Sequence, residues 1–194
     1  HAPTGRWSAK AYVGKAEVGR LRFSVEAFVP ERMEVEASAM IEDLGGGQPL
    51  PVRVNARYLF GGSAEGSPVE VTCRIAPSEF EVEGRPGLRF GPWTGGQLGR
   101  STPRSVDLGV VTGELDAKGQ ATLTCPPLKG LEGYRRPGAV MADVAVLEAG
   151  GGRATRAKAR ARLHPAELYL GLREGSGGKI EGEVLDWEGR VVDR

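Results

Sequence analysis

The feature that most constrains this chain is a proline that interrupts an extended segment at residues 23–35, Phe-Ser-Val-Glu-Ala-Phe-Val-Pro-Glu-Arg-Met-Glu-Val. Proline fixes φ and donates no backbone hydrogen bond, so a sheet ladder is expected to stop at Pro30. The preceding residue, Val29, is biased towards extended geometry. Two strands separated by a proline, with no helix between them, are typical of the passage from one β-domain to the next. We therefore expect a domain junction at Pro30, in a chain that begins inside something larger.

Composition favours an all-β protein and gives no electrostatic signal for a polyanionic partner. The 194 residues include 30 glycines and 13 prolines, which punctuate short alternating segments as turns do. The 26 Lys and Arg balance 25 Asp and Glu, so net charge gives no reason to expect nucleic acid or anionic lipid as a partner. No segment approaches the roughly 18 apolar residues that a membrane helix needs, and no signal segment opens the sequence.

Seven segments in the middle of the chain alternate apolar and polar side chains with the period of a β-strand. They are residues 33–40, 52–60, 69–75, 106–115, 121–125, 140–147 and 154–163. The nearly continuous apolar run at 140–147 predicts a central strand, with 154–163 as its hairpin partner. We predict an all-β fold, an immunoglobulin-like or fibronectin-like β-sandwich of about seven strands that occupies residues 30–165.

Partial β modules are predicted on both sides of this sandwich. Before it, two alternating segments flank a turn at residues 14–19 and predict a hairpin. We interpret residues 1–29 as the C-terminal strands of a preceding domain, and leave open whether they pack against the central one. After Pro165 two more short strands are predicted, so residues 166–194 are interpreted as the start of a following domain.

Two glycine- and proline-rich segments, residues 83–105 and 126–137, have no strand pattern. The first exceeds the ~12–15 structureless residues usual in a compact domain, and it carries Phe90 and Trp93. These two side chains fit a binding loop or an anchor that pins the loop onto the sandwich. The sequence does not separate the two interpretations.

The two cysteines, Cys73 and Cys125, each occupy the apolar face of a predicted strand. One interpretation is a pair of buried thiols that behave as small hydrophobic side chains. The other is an intradomain disulfide, which requires an exported protein. Neither cysteine belongs to a Cys-x-x-Cys motif, so both remain structural in either case.

No constellation of residues predicts an enzyme, a metal site or a cofactor site. The only histidines are His1 and His164, and His164, next to Pro165, is predicted to be solvated or to pack against a linker. The chain has neither the Gly-x-Ser-x-Gly elbow of a serine hydrolase nor a phosphate-binding loop.

Four cations alternate with alanines along one predicted strand, which places all four on one face. They are Arg156, Lys158, Arg160 and Arg162. Such a basic face can bind a polyanion, or it can be a solvated outer surface whose charge discourages edge pairing. A net charge of +1 and the lack of interleaved aromatic residues favour the solvated surface.

Four segments resemble, in order, the bacterial α2-macroglobulin family. Residues 23–35 resemble the handover from one macroglobulin domain to the next, and residues 54–66, Val-Asn-Ala-Arg-Tyr-Leu-Phe-Gly-Gly-Ser-Ala-Glu-Gly, resemble the second strand and turn of the following domain. Leu-Arg-Phe-Gly at 88–91 and His-Pro-Ala-Glu-Leu-Tyr-Leu-Gly-Leu-Arg at 164–173 complete the resemblance.

This resemblance implies a large exported, periplasmic and often lipid-anchored protein made of many macroglobulin sandwiches. Such proteins trap proteases after cleavage of a bait segment, and in many members a Cys-Glu-Gln thioester then binds the protease covalently. Here Arg74 and Pro126 follow the two cysteines, so the thioester motif is absent, and the family's bait lies in a later domain.

The resemblance therefore implies a scaffold segment of a broad-spectrum endopeptidase inhibitor. The implied partners are other macroglobulin domains of the same polypeptide, and proteases through the full-length protein. Membrane contact is implied only through an anchor outside this chain. The alternative is a cell-surface binding or adhesion module of immunoglobulin-like fold, which would use the loop around Trp93 or the basic face.

Overall fold

A computed structural model of the chain describes residues 3–26, 31–90, 105–127, 137–148 and 152–192. Across these residues the structure is built from strands and one short 3₁₀ turn, Ser176–Gly178, without an α-helix. The described part of the chain contains no helix that is long and apolar enough to cross a membrane. The chain forms two compact units, His1–Arg32 and Met33–Arg194.

The strands, in chain order, are β1 Gly5–Val13, β2 Ala16–Val25, β3 Met33–Ala39, β4 Asp43–Gly45, β5 Leu50–Tyr58, β6 Pro68–Pro77, β7 Arg89–Phe90, β8 Val106–Glu114, β9 Gln120–Cys125, β10 Gly138–Leu147, β11 Ala154–His164, β12 Leu168–Glu174 and β13 Ile180–Asp186.

The first unit is an antiparallel hairpin of β1 and β2. The predicted hairpin is confirmed, but its second strand begins at Ala16 and not after residue 19. A two-residue turn is enough here because Gly14 adopts a φ of +60°, which a hairpin turn requires and glycine accepts without strain. Pro30, on which the expected junction depends, lies outside the described residues.

The second unit contains a β-sandwich of two sheets. One sheet has the order β4-β11-β10-β6-β8 and the other the order β3-β5-β9. Strand β10 pairs with β11 on one side and with β6 on the other, which confirms the predicted central strand and its hairpin partner. The all-β, immunoglobulin-like sandwich predicted from the alternation is confirmed.

Apolar and polar side chains alternate along the strands, so the apolar ones of both sheets point inward and form the core between the sheets. Val69, Val71, Cys73 and Ile75 point inward from β6, and each is at most 1% exposed. Residues of the facing strand β5, such as Val52 and Val54, are equally buried. Complete burial of each such side chain stabilises the fold by ~1.5–3 kcal/mol before the entropy cost of ordering it.

A third sheet follows the sandwich in the same unit, with the order β13-β12-β7. The prediction that residues 83–105 lack a strand is wrong at Arg89 and Phe90, which pair with Leu172 and Gly171 of β12. Strand β4, which pairs in parallel with the end of β11, was also not predicted. Strands this short have no readable alternation and form only because a longer strand offers them an edge.

Candidate functional site

Among the described residues, a group of hydrogen-bonded and stacked side chains outside the core surrounds His164, the last residue of β11. We call it the joint cluster: Asp43, Phe80, Phe90, Arg162, His164, Tyr169 and Trp187. The cluster lies where the sandwich meets the third sheet. His164 is 2% exposed, so of its two predicted environments the solvated one is wrong and the side chain is packed. The reason is that β12 turns back after Pro165 and covers the imidazole with Tyr169.

The imidazole of His164 is hydrogen-bonded at both nitrogens. Its Nε2 lies 2.8 Å from Oδ1 of Asp43, and its Nδ1 lies 2.9 Å from the hydroxyl oxygen of Tyr169. A carboxylate can only accept, so Nε2 carries the proton and donates to Asp43. In the neutral ring Nδ1 is then an acceptor, and the Tyr169 hydroxyl donates to it.

Arg162 completes this chain of hydrogen bonds on the surface side. Its Nε donates to Oδ1 of Asp43 and one of its terminal nitrogens donates to Oδ2, both over 2.6 Å. This is the two-point geometry in which a guanidinium binds a carboxylate most strongly. Asp43, on the three-residue strand β4, therefore connects an exposed arginine to a buried histidine.

These contacts shift the pKa values of the groups involved. Burial raises the pKa of the Asp43 carboxyl, but the hydrogen bonds from Arg162 and His164 outweigh that effect and hold the pKa below its ordinary value. The hydrogen bond to Asp43 raises the pKa of the Arg162 guanidinium. Burial, with a smaller contribution from the charge of Asp43, raises the pKa of the Tyr169 hydroxyl, so Tyr169 is a neutral donor.

Aromatic rings enclose the histidine and tyrosine. Phe80, from the segment after β6, stacks on the Tyr169 ring with centroids 4.1 Å apart, and Phe90 of β7 meets Phe80 edge-on at 4.9 Å. Trp187, in the turn after β13, lies 5.1 Å from the imidazole. Such pairs add ~0.5–1.5 kcal/mol each beyond the area that they bury.

Two glycines, Gly171 of β12 and Gly189 in the turn after β13, leave room for side chains of the segment that follows β6. A Cβ on Gly171 would lie 2.6 Å from the Phe90 ring, and one on Gly189 would lie 2.5 Å from Val82. Arg85, from the same segment, forms a salt bridge with Glu183 of β13. Residues 80–90 thus leave the sandwich, wrap the third sheet and contribute one of its strands.

The two predicted cysteine positions meet in the core. Cys73 of β6 and Cys125 of β9 are joined by a disulfide, with Cα atoms 5.7 Å apart. Each is completely buried. Because β6 and β9 belong to different sheets, the bond ties one layer of the sandwich to the other.

The four cations of β11 lie on the outer face of the five-stranded sheet, while the alternating alanines face the core. Lys158 Nζ is 3.6 Å from Asp143 of β10, a carboxylate that also accepts from Arg74. Arg160 donates to the hydroxyl of Ser78, and Arg162 is bound to Asp43. Two cations of this face are therefore paired with the carboxylates Asp143 and Asp43. Arg156, near the start of β11, is exposed.

The long loop supplies one side chain to the joint cluster. Phe90 anchors residues 89–90 on β12, whereas Trp93 lies outside the described residues. Sequence reasoning missed Asp43, Phe80, Tyr169 and Trp187. Tyr169 lies in the segment 164–173 that the sequence analysis singled out, and the other three lie near glycine- or proline-containing turns, but neither signal reveals that the four residues converge.

The hydrogen bonds and ring contacts of the joint cluster hold parts of the fold together. His164 and Tyr169 are both nearly inaccessible to solvent, and each satisfies a polar atom of the other in a site that excludes water. Nowhere in the described ranges do three or more His, Cys, Asp or Glu side chains assemble into a possible metal site. The arrangement fixes the position of one sheet relative to another.

Comparisons with known proteins find a matching sequence family and relatives that align with most of this chain. Residues 31–165 match the sequence family described as the bacterial alpha-2-macroglobulin MG5 domain. The alpha-2-macroglobulin of Xylella fastidiosa (strain Temecula1) is 31% identical over 176 residues, which are 89% of this chain and 10% of that protein. The alpha-2-macroglobulin of Escherichia coli K12 is 28% identical over the same shares.

A solved structure has the same fold. The trypsin-activated alpha-2-macroglobulin of Escherichia coli matches 97% of this chain with a TM-score of 0.61 and 23% identity, over 14% of its own length. The chain thus spans about a tenth of the length of the curated relatives that it matches.

Proposed function

This chain belongs to the bacterial alpha-2-macroglobulin family, whose MG5 domain its residues 31–165 match, and from this we propose that it is a scaffold segment of a larger protease-trapping inhibitor. In this role the segment carries neither bait nor thioester and performs no catalysis. It holds neighbouring macroglobulin modules of the same polypeptide in position. Proteases are partners only of the full-length protein.

The observation that carries this proposal is the joint cluster. Residues 80–90 leave the sandwich and end in β7, a strand of the third sheet, and His164 and Tyr169 form a hydrogen bond between the sandwich and that sheet. A linker that allowed free movement would need neither a shared sheet nor a buried hydrogen-bond chain. The contact is suited to transmitting the position of one module to the next.

Apolar surfaces on the flanking strands support further modules of the same polypeptide. On β12 and β13, Leu170 is 53% exposed and Ile180 is 73% exposed, while Tyr169 on the opposite face is buried. In the first unit, Trp7 lies opposite Phe23 and Ala9 opposite Leu21, which makes one face of the hairpin apolar. Exposed apolar faces of this kind are normally covered by another layer of protein.

We also propose export to the periplasm, with any lipid anchor located elsewhere in the polypeptide. The disulfide between Cys73 and Cys125 supports this, because buried structural disulfides form and persist in oxidising compartments and are rare in the cytosol. The described residues offer no observation that favours the alternative, an adhesion module, since two of the four cations of the basic face, Lys158 and Arg162, are paired with Asp143 and Asp43.

The test compares the full-length polypeptide with the isolated 194-residue chain, each incubated with trypsin. Residual trypsin activity is measured on a small peptide substrate and on a large protein substrate. Trapping by the full-length protein leaves the first activity nearly intact and suppresses the second. The isolated chain is expected to suppress neither.

Two results would overturn the proposal. Inhibition of trypsin by the isolated chain would place inhibitory chemistry within these residues. Failure of the full-length protein to protect the large substrate, in a preparation shown to be folded, would remove the trap to which the scaffold is assigned.

A further inference from the structure

We propose that one face of the hairpin formed by β1 and β2 is a docking surface for the phosphate headgroups of an anionic lipid surface. We call it the cationic hairpin face, which is distinct from the basic face of β11. Each of its side chains can donate a hydrogen bond, and they are Arg6, Ser8, Lys10, Arg20, Arg22 and Ser24. The proposal goes beyond the scaffold role and does not depend on protease trapping.

The register of the hairpin places these side chains together. Three cross-strand pairs make up the face: Arg6 with Ser24, Ser8 with Arg22, and Lys10 with Arg20. Residues directly opposite each other in an antiparallel pair lie on the same face, and so do alternate residues of one strand. All six residues are exposed. The apolar residues Trp7, Leu21 and Phe23 belong to the opposite face of the hairpin.

The positive charge of this face is only partly balanced. Residues 3–26 contain five Lys or Arg and two Glu, although the net charge of the whole chain is only +1. Glu17, near the turn, binds Arg20 over 2.9 Å and lies 3.9 Å from Lys10. Among the described residues, no carboxylate forms a salt bridge with Arg6 or Arg22.

This arrangement of cations is unfavourable for the hairpin itself. Lys10 and Arg20 are directly opposite each other, and like charges in that position destabilise a strand pair. Arg22 is also the diagonal neighbour of both Arg6 and Lys10, within reach of long side chains. Violations of a local rule of this kind are expected where a function requires them. An anionic surface would relieve the repulsion, because it neutralises all four cations at once.

The composition of the face favours a lipid surface over a protein partner. Its positions carry only Arg, Lys and Ser, whereas the buried centre of a protein interface is enriched in aromatic residues and depleted in Lys and Ser. Contact with an anionic lipid surface needs no apolar centre, since each Lys or Arg near the surface contributes through its charge.

Nucleic acid is also a poorer fit than lipid. Bases bound without a groove-reading element stack on aromatic side chains, but Trp7 and Phe23 lie on the opposite face. The hydroxyl of Tyr12 lies 3.4 Å from Glu17 at the turn end of the hairpin. The disulfide between Cys73 and Cys125 supports an oxidising compartment outside the cytosol, where membrane surfaces are accessible.

The test measures co-sedimentation of the 194-residue chain with two kinds of vesicle, at about 0.05 M and about 0.5 M salt. One kind contains phosphatidylcholine and phosphatidylglycerol in equal parts, and the other contains phosphatidylcholine alone. The variants are Arg6→Gln and Arg22→Gln. Lys15→Gln is the matched control, because it removes one charge from the turn of the same hairpin and lies outside the face. Hydrogen exchange of β1 and β2 verifies that the hairpin is formed in each protein.

We expect the wild-type chain to bind the phosphatidylglycerol vesicles at low salt, to leave them at high salt, and not to bind phosphatidylcholine alone. Arg6→Gln and Arg22→Gln should each weaken binding roughly 5-fold, and Lys15→Gln should weaken it clearly less.

Three results would overturn the proposal. The first is no binding to the phosphatidylglycerol vesicles, and the second is an equal loss in Lys15→Gln, which would make the arrangement of the cations irrelevant. The third is binding to phosphatidylcholine alone that salt does not weaken, which would assign the contact to the apolar face. Tighter binding to a DNA duplex or to a polyglutamate peptide than to the vesicles would also exclude lipid as the partner.

Discussion

Nδ1 of His164 and the hydroxyl oxygen of Tyr169 lie 2.9 Å apart, and this contact joins the last strand of the sandwich to the central strand of the third sheet. The two residues flank a short turn that contains Pro165. Asp43, on the other side of the imidazole, comes from a strand 121 positions earlier in the sequence. A local turn and a distant strand thus meet at one buried side chain.

The arginine that binds Asp43 should contribute more to stability than its neighbours on the same strand. Arg162→Ala removes a bidentate ion pair that is partly exposed, so we expect a loss of about 0.5–1 kcal/mol in the free energy of unfolding. Arg156→Ala, on the same face, should change it by less than about 0.5 kcal/mol. Urea denaturation of both variants measures the difference. Equal effects would contradict the role assigned to Asp43.

Asp43 should also contribute a pH-dependent part of the stability. Its pKa is lower in the folded protein than its ordinary value, so the unfolded chain binds the proton more readily. The contribution is therefore fully present above the unfolded pKa, about 3.9, and is lost as pH falls through the lower folded pKa.

The Asp43→Asn variant tests this sign. Its deficit in unfolding free energy relative to wild type should have its full value at about pH 5 and above and should narrow towards about pH 2. Glu70→Gln, which alters an exposed carboxylate on β6, is the matched control and should show no comparable change. A deficit for Asp43→Asn that is constant with pH would contradict the prediction.

The disulfide should be a major stabilising element because it closes a loop with a sequence separation of 52 between the two layers. Replacing Cys73 and Cys125 with alanine should lower the free energy of unfolding by about 2–5 kcal/mol. A reductant should destabilise wild type and leave the double variant unaffected. Thiol titration of the denatured, unreduced protein should find no free thiols, and two free thiols would exclude the bond.

Gly171 should be intolerant of a side chain because of one neighbour. An added Cβ would lie 2.6 Å from Cε1 of Phe90, so Gly171→Ala should destabilise by about 1–3 kcal/mol through overpacking. If the Phe90 ring is the cause, Gly171→Ala should cost clearly less when combined with Phe90→Ala. A double-mutant cycle measured by urea denaturation gives this coupling, and strictly additive effects would rule out the contact as the cause.

The sandwich was predictable because its strands are long and because each of its two sheets buries only one face. Val69, Val71 and Ile75 alternate with polar residues on β6, and burial follows the alternation. Short strands escaped prediction because β4 and β7 contain three and two residues, too few for a period to appear.

The joint cluster could not be predicted from the sequence because it depends on tertiary proximity. In β12 the pattern Leu-Tyr-Leu-Gly-Leu suggests that the leucines are inside, yet the structure buries Tyr169 and exposes Leu170. Tyr169 is buried because Phe80 and Phe90 pack against the face of β12 that carries it. The local sequence of β12 contains no sign of these distant residues. The sequence could not decide between a solvated and a packed His164 for the same reason, since the residues that cover it come from several separate segments.

The most direct test of the central claim, that the joint cluster fixes the third sheet on the sandwich, is amide hydrogen–deuterium exchange resolved by peptide. Wild type is compared with Phe80→Ala and with Phe60→Ala, a matched control at an exposed phenylalanine. We predict slow exchange in β12 and β13 of wild type, faster exchange there in Phe80→Ala, and no change in either variant at the central strand β10. Exchange of β12 and β13 that is already unprotected in wild type, or that Phe80→Ala leaves unchanged, would contradict the account.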